Sequence, residues 1–64
     1  HKTVHGCEGM TLIYCGVGEV HVIVGDEGVE LKADEAARLD GYAGEIKLCS
    51  KTGAKLMLAK AKAV

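Results

Sequence analysis

Hydrophobic and polar side chains alternate with a period of two along most of the chain. In the clearest stretch, Val20, Val22 and Val24 alternate with Glu19 and His21. Successive side chains of a β-strand point to opposite faces, so this period predicts strands with one buried face. Similar alternation occurs at residues 29–32, 46–49 and 56–58, and a β-branched and aromatic run, also typical of strands, spans residues 11–15.

Glycines lie between these runs and predict the turns. Residues 16–18 (Gly-Val-Gly) predict a break between the first two strands, and residues 25–28 (Gly-Asp-Glu-Gly) predict a four-residue hairpin loop. Further turns are predicted at residues 40–44 and 51–53. Short strands separated by turns every ~8 to 12 residues are typical of a small antiparallel β-barrel or sandwich.

Two segments are compatible with either a helix or a strand. Residues 33–39 contain helix-forming residues and an Asp34–Arg38 pair at helical spacing, but so short a helix is marginal in isolation. Residues 56–64 are rich in Ala and Lys, and their strict alternation equally suits a final strand. We predict strands in both. Residues 1–10 show no period and are predicted to be an irregular segment ahead of a β domain at 11–64.

The composition allows only a small core. The chain has 64 residues with no Phe, Trp or Pro, so the core must come from aliphatic side chains. Domains of this size are usually stabilised by disulfide bonds, by a structural metal ion or by a partner. Three cysteines, Cys7, Cys15 and Cys49, do not form a disulfide framework and indicate a reducing, cytoplasmic location. Because the chain begins at His1 rather than Met, we treat it as a candidate fragment of a longer protein.

Charge is distributed unevenly along the chain. Residues 1–44 carry eight acidic and three basic side chains, whereas residues 45–64 carry one acidic and five basic side chains. Lysines at the edge of a sheet often prevent its pairing with another chain, which is one interpretation of this asymmetry. The other is an electrostatic contact with a partner. We expect no nucleic-acid binding, because no aromatic side chain for base stacking lies among the lysines. No apolar run reaches the ~18 residues of a membrane helix, so we expect no membrane partner.

The N-terminal segment contains a dense group of metal-capable side chains. His1, His5, Cys7 and Glu8 supply imidazole, thiol and carboxylate groups, which bind zinc or iron in proteins. Their spacing matches no closed structural site, and a polar terminal segment is the alternative interpretation. His5, Glu8 and His1 are therefore the candidate metal ligands.

The remaining reactive residue types have simpler interpretations. His21 lies on the strand face opposite the valines and is predicted to face solvent. Cys15 and Cys49 lie in apolar contexts and are predicted to be small core residues. The sequence does not identify a base that would deprotonate the thiol of Cys49 and make it a nucleophile. The glycines at 16–18 do not complete a dinucleotide-binding fingerprint, because a strand rather than a helix follows them.

The order and spacing of several segments resemble a known family. These segments are residues 11–14 (Thr-Leu-Ile-Tyr), 18–20 (Gly-Glu-Val), 29–39, 44–48 and 53–58. Together they resemble the C-terminal domain of the pirin family, within the cupin superfamily. The resemblance covers the chain from Thr11 onward and implies a cupin-like β-barrel.

The resemblance implies that this chain corresponds to the domain that lacks the catalytic metal. Metal-binding cupins carry a His-x-His pair and a Glu before the tyrosine of this strand, where this chain has Met10 to Ile13. In pirin-like proteins the N-terminal domain holds the metal. A complete cupin barrel also needs more strands than 64 residues supply, so the fold is predicted to be incomplete in a single chain. An upstream domain or a second copy would then cover the open edge.

These observations predict a non-catalytic, cupin-like interaction module that forms a homo-oligomer or packs on a missing partner domain through its valine-rich strand faces. One alternative is a metal-dependent, dioxygenase-like cupin enzyme that uses His5, Glu8 and His1 or His21 as ligands for iron or zinc. Another is a small-ligand-binding barrel, whose cavity would lie among four core side chains, namely Val20, Val22, Ile46 and Leu48.

Overall fold

The fold is antiparallel and built only from β-strands in the part of the chain that the structure describes, residues 1–63 of a computed structural model. The predicted all-β class is therefore confirmed. The six strands are β1 (Lys2–His5), β2 (Met10–Val24), β3 (Glu27–Lys32), β4 (Glu35–Asp40), β5 (Glu45–Cys49) and β6 (Ala54–Ala61). No helix among these residues is long and apolar enough to cross a membrane.

Strand β2 organises the fold because every other strand except β1 pairs with it. Its C-terminal half pairs with β3 and β5, and β1 extends this group by pairing with β5. We call these strands the first lobe of the sheet. The N-terminal half of β2 pairs with β4 on one side and β6 on the other, and these three strands form the second lobe.

A β-bulge in the middle of β2 lets both halves of this strand face one core. The bulge lies between Cys15 and Val17, where Gly16 is the extra residue without a partner on β6. Ahead of the bulge the odd-numbered side chains of β2 are buried, whereas beyond it Val20 and Val22 are buried. The predicted break at residues 16–18 is wrong, because glycine here bends a continuous strand instead of ending it.

The inner sides of the two lobes meet in a single small core. Val20, Val22, Ile46 and Leu48 are buried in it, together with Ile13, Cys15 and Leu31. The prediction that the valine faces carry a partner contact is corrected here, since Val20 and Val22 are only 1% and 2% exposed within the monomer. Both side chains therefore pack within the monomer and are not exposed to a partner.

The turn between β2 and β3 is shorter than predicted. Val24 pairs with Glu27, which leaves a two-residue turn of Gly25 and Asp26 in place of the predicted loop at residues 25–28. Gly25 has a φ of 64°, as the first central residue of a type II′ hairpin turn requires. Because this turn matches the twist of the flanking strands, β3 starts earlier than the sequence pattern indicates.

A sharp corner carries the chain from the first lobe to the second. It consists of Ala33 and Asp34, and the amide of Asp34 donates a hydrogen bond of 2.7 Å to the carbonyl of Cys15. Asp34 has a φ of 70°, which Asp tolerates better than most residues. Strand β4 follows directly, so the prediction of a strand within residues 33–39 is confirmed.

The C-terminal segment is also a strand, as predicted, over Ala54–Ala61. Val64, the last residue of that prediction, lies outside the described residues. The irregular segment predicted at residues 1–10 needs correction, because Lys2–His5 pairs with β5 as an edge strand. Only Val4 of this strand is partly buried, so no alternation marks it in the sequence. The division of the chain at residue 10 stays a prediction.

Candidate docking face

The solvent-facing side of the second lobe is largely apolar. Directly opposite residues of neighbouring strands share a face, so Tyr14 and its partner Met57 lie together on the side away from the buried Ile13. The same pairing places further apolar side chains there. We call this surface the docking face; its apolar members are Met10, Leu12, Tyr14 and Val17 of β2, Met57, Ala59 and Ala61 of β6, and Ala36 of β4.

Two of these side chains are strongly exposed. Met57 is 69% exposed and Val17 is 57% exposed, although both are large and apolar. Three strands of about six residues cover roughly 300 Å². Continuous apolar patches of this order are the largest that ordinary monomers show, and they often mark an interaction site.

Tyr14, in the N-terminal half of β2, is held in place by the corner between the lobes. Its hydroxyl donates a hydrogen bond of 2.5 Å to Oδ1 of Asp34. This hydrogen bond, followed by desolvation and the negative charge of Asp34, raises the pKa of Tyr14 above its ordinary value of 10.0. A phenol is protonated at physiological pH even at its ordinary pKa of 10.0, so this part of the docking face is uncharged.

Charged side chains lie along both edge strands of the docking face. On β6, Lys55 pairs with Val17 and lies on the docking face, whereas Lys60 pairs with the buried Thr11 and lies on the other side of the sheet. On β4, Arg38 and Asp40 pair with Leu12 and Met10, lie on the docking face and form an ion pair of 3.0 Å with each other. An apolar centre with charged margins is typical of protein interfaces.

The predicted metal ligands lie apart from one another. His1 precedes β1 and His5 ends it, so an extended backbone separates them by ~13 Å. Glu8 is exposed in the loop that follows. No group of three or more metal-capable side chains comes together within residues 1–63. The assignment of His5, Glu8 and His1 as ligands stays a prediction.

Cys7, the fourth member of that N-terminal group, packs against the start of β2. Its thiol donates a hydrogen bond of 3.3 Å to the carbonyl of Met10. Its backbone amide donates one of 3.2 Å to Oγ1 of the fully buried Thr11. These contacts indicate that Cys7 fixes the position of the chain where β2 begins. They also account for the burial of the polar Thr11 hydroxyl.

A second group of reactive side chains forms a row across the outer side of the first lobe. His21 pairs with Glu30 on one side and Cys49 on the other, and its Nε2 lies 3.3 Å from the Glu30 carboxylate. His21 faces solvent, as predicted. Cys49 is half-buried rather than a core residue. Sequence reasoning missed the row, because strand register alone brings His21 beside Cys49.

Two depressions between the lobes are open and small. One of about 290 Å³ is lined mainly by Val20, Leu48 and Leu56, with His1 and Lys2 at its mouth. Another of about 200 Å³ lies between β3 and β4. Neither adjoins the row of His21, and both fall below or near the ~300 Å³ lower limit of ordinary ligand pockets.

Comparison with known proteins found no match, whether by family model, among curated proteins or among solved structures. The resemblance to the pirin C-terminal domain therefore stays a prediction. The fold itself defines the class: a small, antiparallel, all-β domain with one apolar face left exposed.

Proposed function

We propose that this chain is a non-catalytic interaction module, a cupin-like β domain of the pirin C-terminal type, that docks through the apolar outer face of its second lobe. The observation that carries the proposal is the exposure of large apolar side chains on a regular sheet face, above all Met57 at 69%. Burial of such a side chain in an interface contributes about 1.5 to 3 kcal/mol.

The modest core supports the same interpretation. Within residues 1–63 seven apolar side chains are buried, and the aromatic ring of Tyr14 lies on the outer face instead. A domain of this size gains little stability from its own core. Covering the docking face would therefore add stability that the isolated chain lacks, and the unpaired cysteines suit a cytoplasmic setting.

The experiment that tests this function measures binding of an apolar fluorescent dye, anilinonaphthalene sulfonate, to the folded chain at low protein concentration. We expect binding by the wild type and a clear loss in Met57→Lys. Thr3→Lys is the matched control, because Thr3 is exposed on β1 of the first lobe and lines neither depression between the lobes. Equal dye binding by all three chains would contradict the assignment of the docking face.

Two alternative functions remain open to direct tests. A metal-dependent enzyme that uses His5, Glu8 and His1 or His21 predicts about one equivalent of iron or zinc in the purified chain. A ligand-binding module predicts that small apolar molecules bind between β3 and β4. The observation favouring the latter is the apolar lining of that depression by Val22, Val24, Val29 and Leu39.

A further inference from the structure

His21 and Cys49 lie directly opposite each other on the outer side of the first lobe. They belong to antiparallel strands, β2 and β5, and the register pairs them. The side chains of such a pair share one face of the sheet, with their Cβ atoms about 4.5 to 5.5 Å apart. The side chain of His21 is 50% exposed, and Cys49 is a free, half-buried thiol. An imidazole and a thiol therefore lie side by side, within reach of solvent.

The spacing of this pair fits a single metal ion. Zinc lies about 2.0 to 2.1 Å from a histidine nitrogen and about 2.3 Å from a cysteine sulfur, so the two ligand atoms of a tetrahedral site are roughly 3.6 Å apart. The sulfur of Cys49 is one bond beyond its Cβ, and Nδ1 of His21 is two bonds beyond its own. Cβ atoms about 5 Å apart can therefore present a nitrogen and a sulfur at this separation.

Glu30 approaches the imidazole from the other side of β2. It pairs with His21 from β3, whereas Cys49 pairs with His21 from β5. Nε2 of His21 lies 3.3 Å from the Glu30 carboxylate. The two nitrogens of an imidazole point away from each other, so a proton held on Nε2 by this carboxylate leaves Nδ1 as the nitrogen that binds a metal ion. A carboxylate behind a metal-binding histidine is the usual supporting arrangement, because it fixes the tautomer and the ring orientation.

Independently of the docking face, we propose that His21 and Cys49 bind a zinc ion through Nδ1 and the thiolate sulfur, with Glu30 as the positioning residue of the imidazole. Imidazole and thiolate are ligand types that zinc prefers. Binding releases the thiol proton to solvent, and water fills the remaining coordination positions. The site is open rather than closed, because no group of three metal-capable side chains converges within residues 1–63.

The number of protein ligands limits the affinity of this site. A closed structural zinc site has about four protein ligands. The pair supplies half of them, so about half of the usual binding free energy is available, which corresponds to a dissociation constant of roughly 1 to 200 μM. Neighbouring charges change this value little, because on the same face Glu19 and Glu30 are balanced by Lys32 and Lys47.

The test titrates the full chain with Co²⁺, a spectroscopic substitute for zinc, and measures Zn²⁺ affinity by competition with a chromophoric chelator. A phosphine reductant keeps the thiols free, and circular dichroism checks that each variant is folded. We expect about one equivalent of either ion to bind, with the near-ultraviolet charge-transfer band of a cobalt–thiolate bond. Cys49→Ser should abolish this band, and His21→Gln should weaken the binding of both ions by about tenfold or more.

Two further variants separate ligation from other effects. Cys7→Ser is the matched control, because Cys7 is also a half-buried free thiol but contacts the start of β2 instead of His21. It should keep both the band and the affinity of the wild type. Glu30→Gln should weaken zinc binding by up to about tenfold and leave the band unchanged at saturating cobalt, because the carboxylate acts only through His21.

Several outcomes would overturn the inference. One is the absence of zinc and cobalt binding up to about 1 mM. Another is a thiolate band that persists in Cys49→Ser or disappears in Cys7→Ser. Zinc binding that survives both Cys49→Ser and His21→Gln but is lost in His5→Ala/Glu8→Gln would place the ion on the N-terminal group instead. Each of these results leaves the docking function standing, because dye binding and its loss in Met57→Lys concern the second lobe.

Discussion

The hydroxyl of Tyr14 donates a 2.5 Å hydrogen bond to the carboxylate of Asp34, which lies at the corner between the two lobes. This bond joins the docking face to the point where the chain passes from the first lobe to the second. It stabilises the protonated phenol and thereby raises the pKa of Tyr14. The orientation of this side chain therefore depends on one carboxylate.

Replacing that carboxylate should lower the pKa of Tyr14 toward 10.0. Asp34→Asn is the appropriate variant, because Asn also tolerates the positive φ of this position. A pKa raised by folding adds stability that is present below pH 10 and is lost as the pH rises through the raised value. Ultraviolet absorbance of tyrosinate during an alkaline titration measures the change. An unchanged titration of Tyr14 in the variant would contradict the assigned hydrogen bond.

Two glycines with positive φ should respond differently to alanine. A Cβ on Gly18 would lie 2.3 Å from the backbone carbonyl oxygen of Gly53, whereas a Cβ on Gly25 meets nothing within 4 Å. Gly25→Ala should therefore cost only about 1 to 2 kcal/mol of backbone strain. Gly18→Ala should cost at least ~2 kcal/mol more, because β2 and the β5–β6 turn must separate.

Urea denaturation of both variants measures these free energies of unfolding. Equal losses at the two positions would mean that Gly18 does not pack against Gly53. The comparison also tests the course of β2 just after its bulge, since a strand ending at residue 16 would leave Gly18 free of that contact.

Two valines of the first lobe should tolerate a charge very differently. Val20 is 1% exposed and Val29 is 50% exposed. An unpaired buried carboxylate costs several kcal/mol, comparable with the whole stability of a small domain. We therefore expect Val20→Asp to be unfolded by circular dichroism. Val29→Asp should change stability by less than about 1 kcal/mol, and a folded Val20→Asp would show that the core assignment is wrong.

The sequence predicts the strand-rich fold well because alternation is clear where one side of a strand faces water. Val20 and Val22 were identified as core residues for this reason. The continuity of β2 could not be predicted, since Gly16 and Gly18 indicate a turn equally well. Only the pairing of β6 on both sides of Gly16 distinguishes a bulge from a break.

The docking face could not be predicted from the sequence for a related reason. Residues 10–15 are nearly all apolar, so no alternation shows which side is buried. The small polar side chain that suggests a solvent side is Thr11, which is fully buried, while Leu12 and Tyr14 lie on the outer side. Tertiary packing and the Cys7–Thr11 hydrogen bond decide this orientation, and neither is visible in the sequence.

The most direct test of the central claim is solution mass as a function of protein concentration for the wild type, Met57→Lys and Thr3→Lys. Together with the homo-oligomer expected from the sequence, the claim predicts that the mass of the wild type and of Thr3→Lys rises from monomer toward dimer with increasing concentration. Met57→Lys should stay monomeric and folded, because its charge lies among the apolar side chains of the docking face. Association of Met57→Lys at the strength of the wild type would contradict the account.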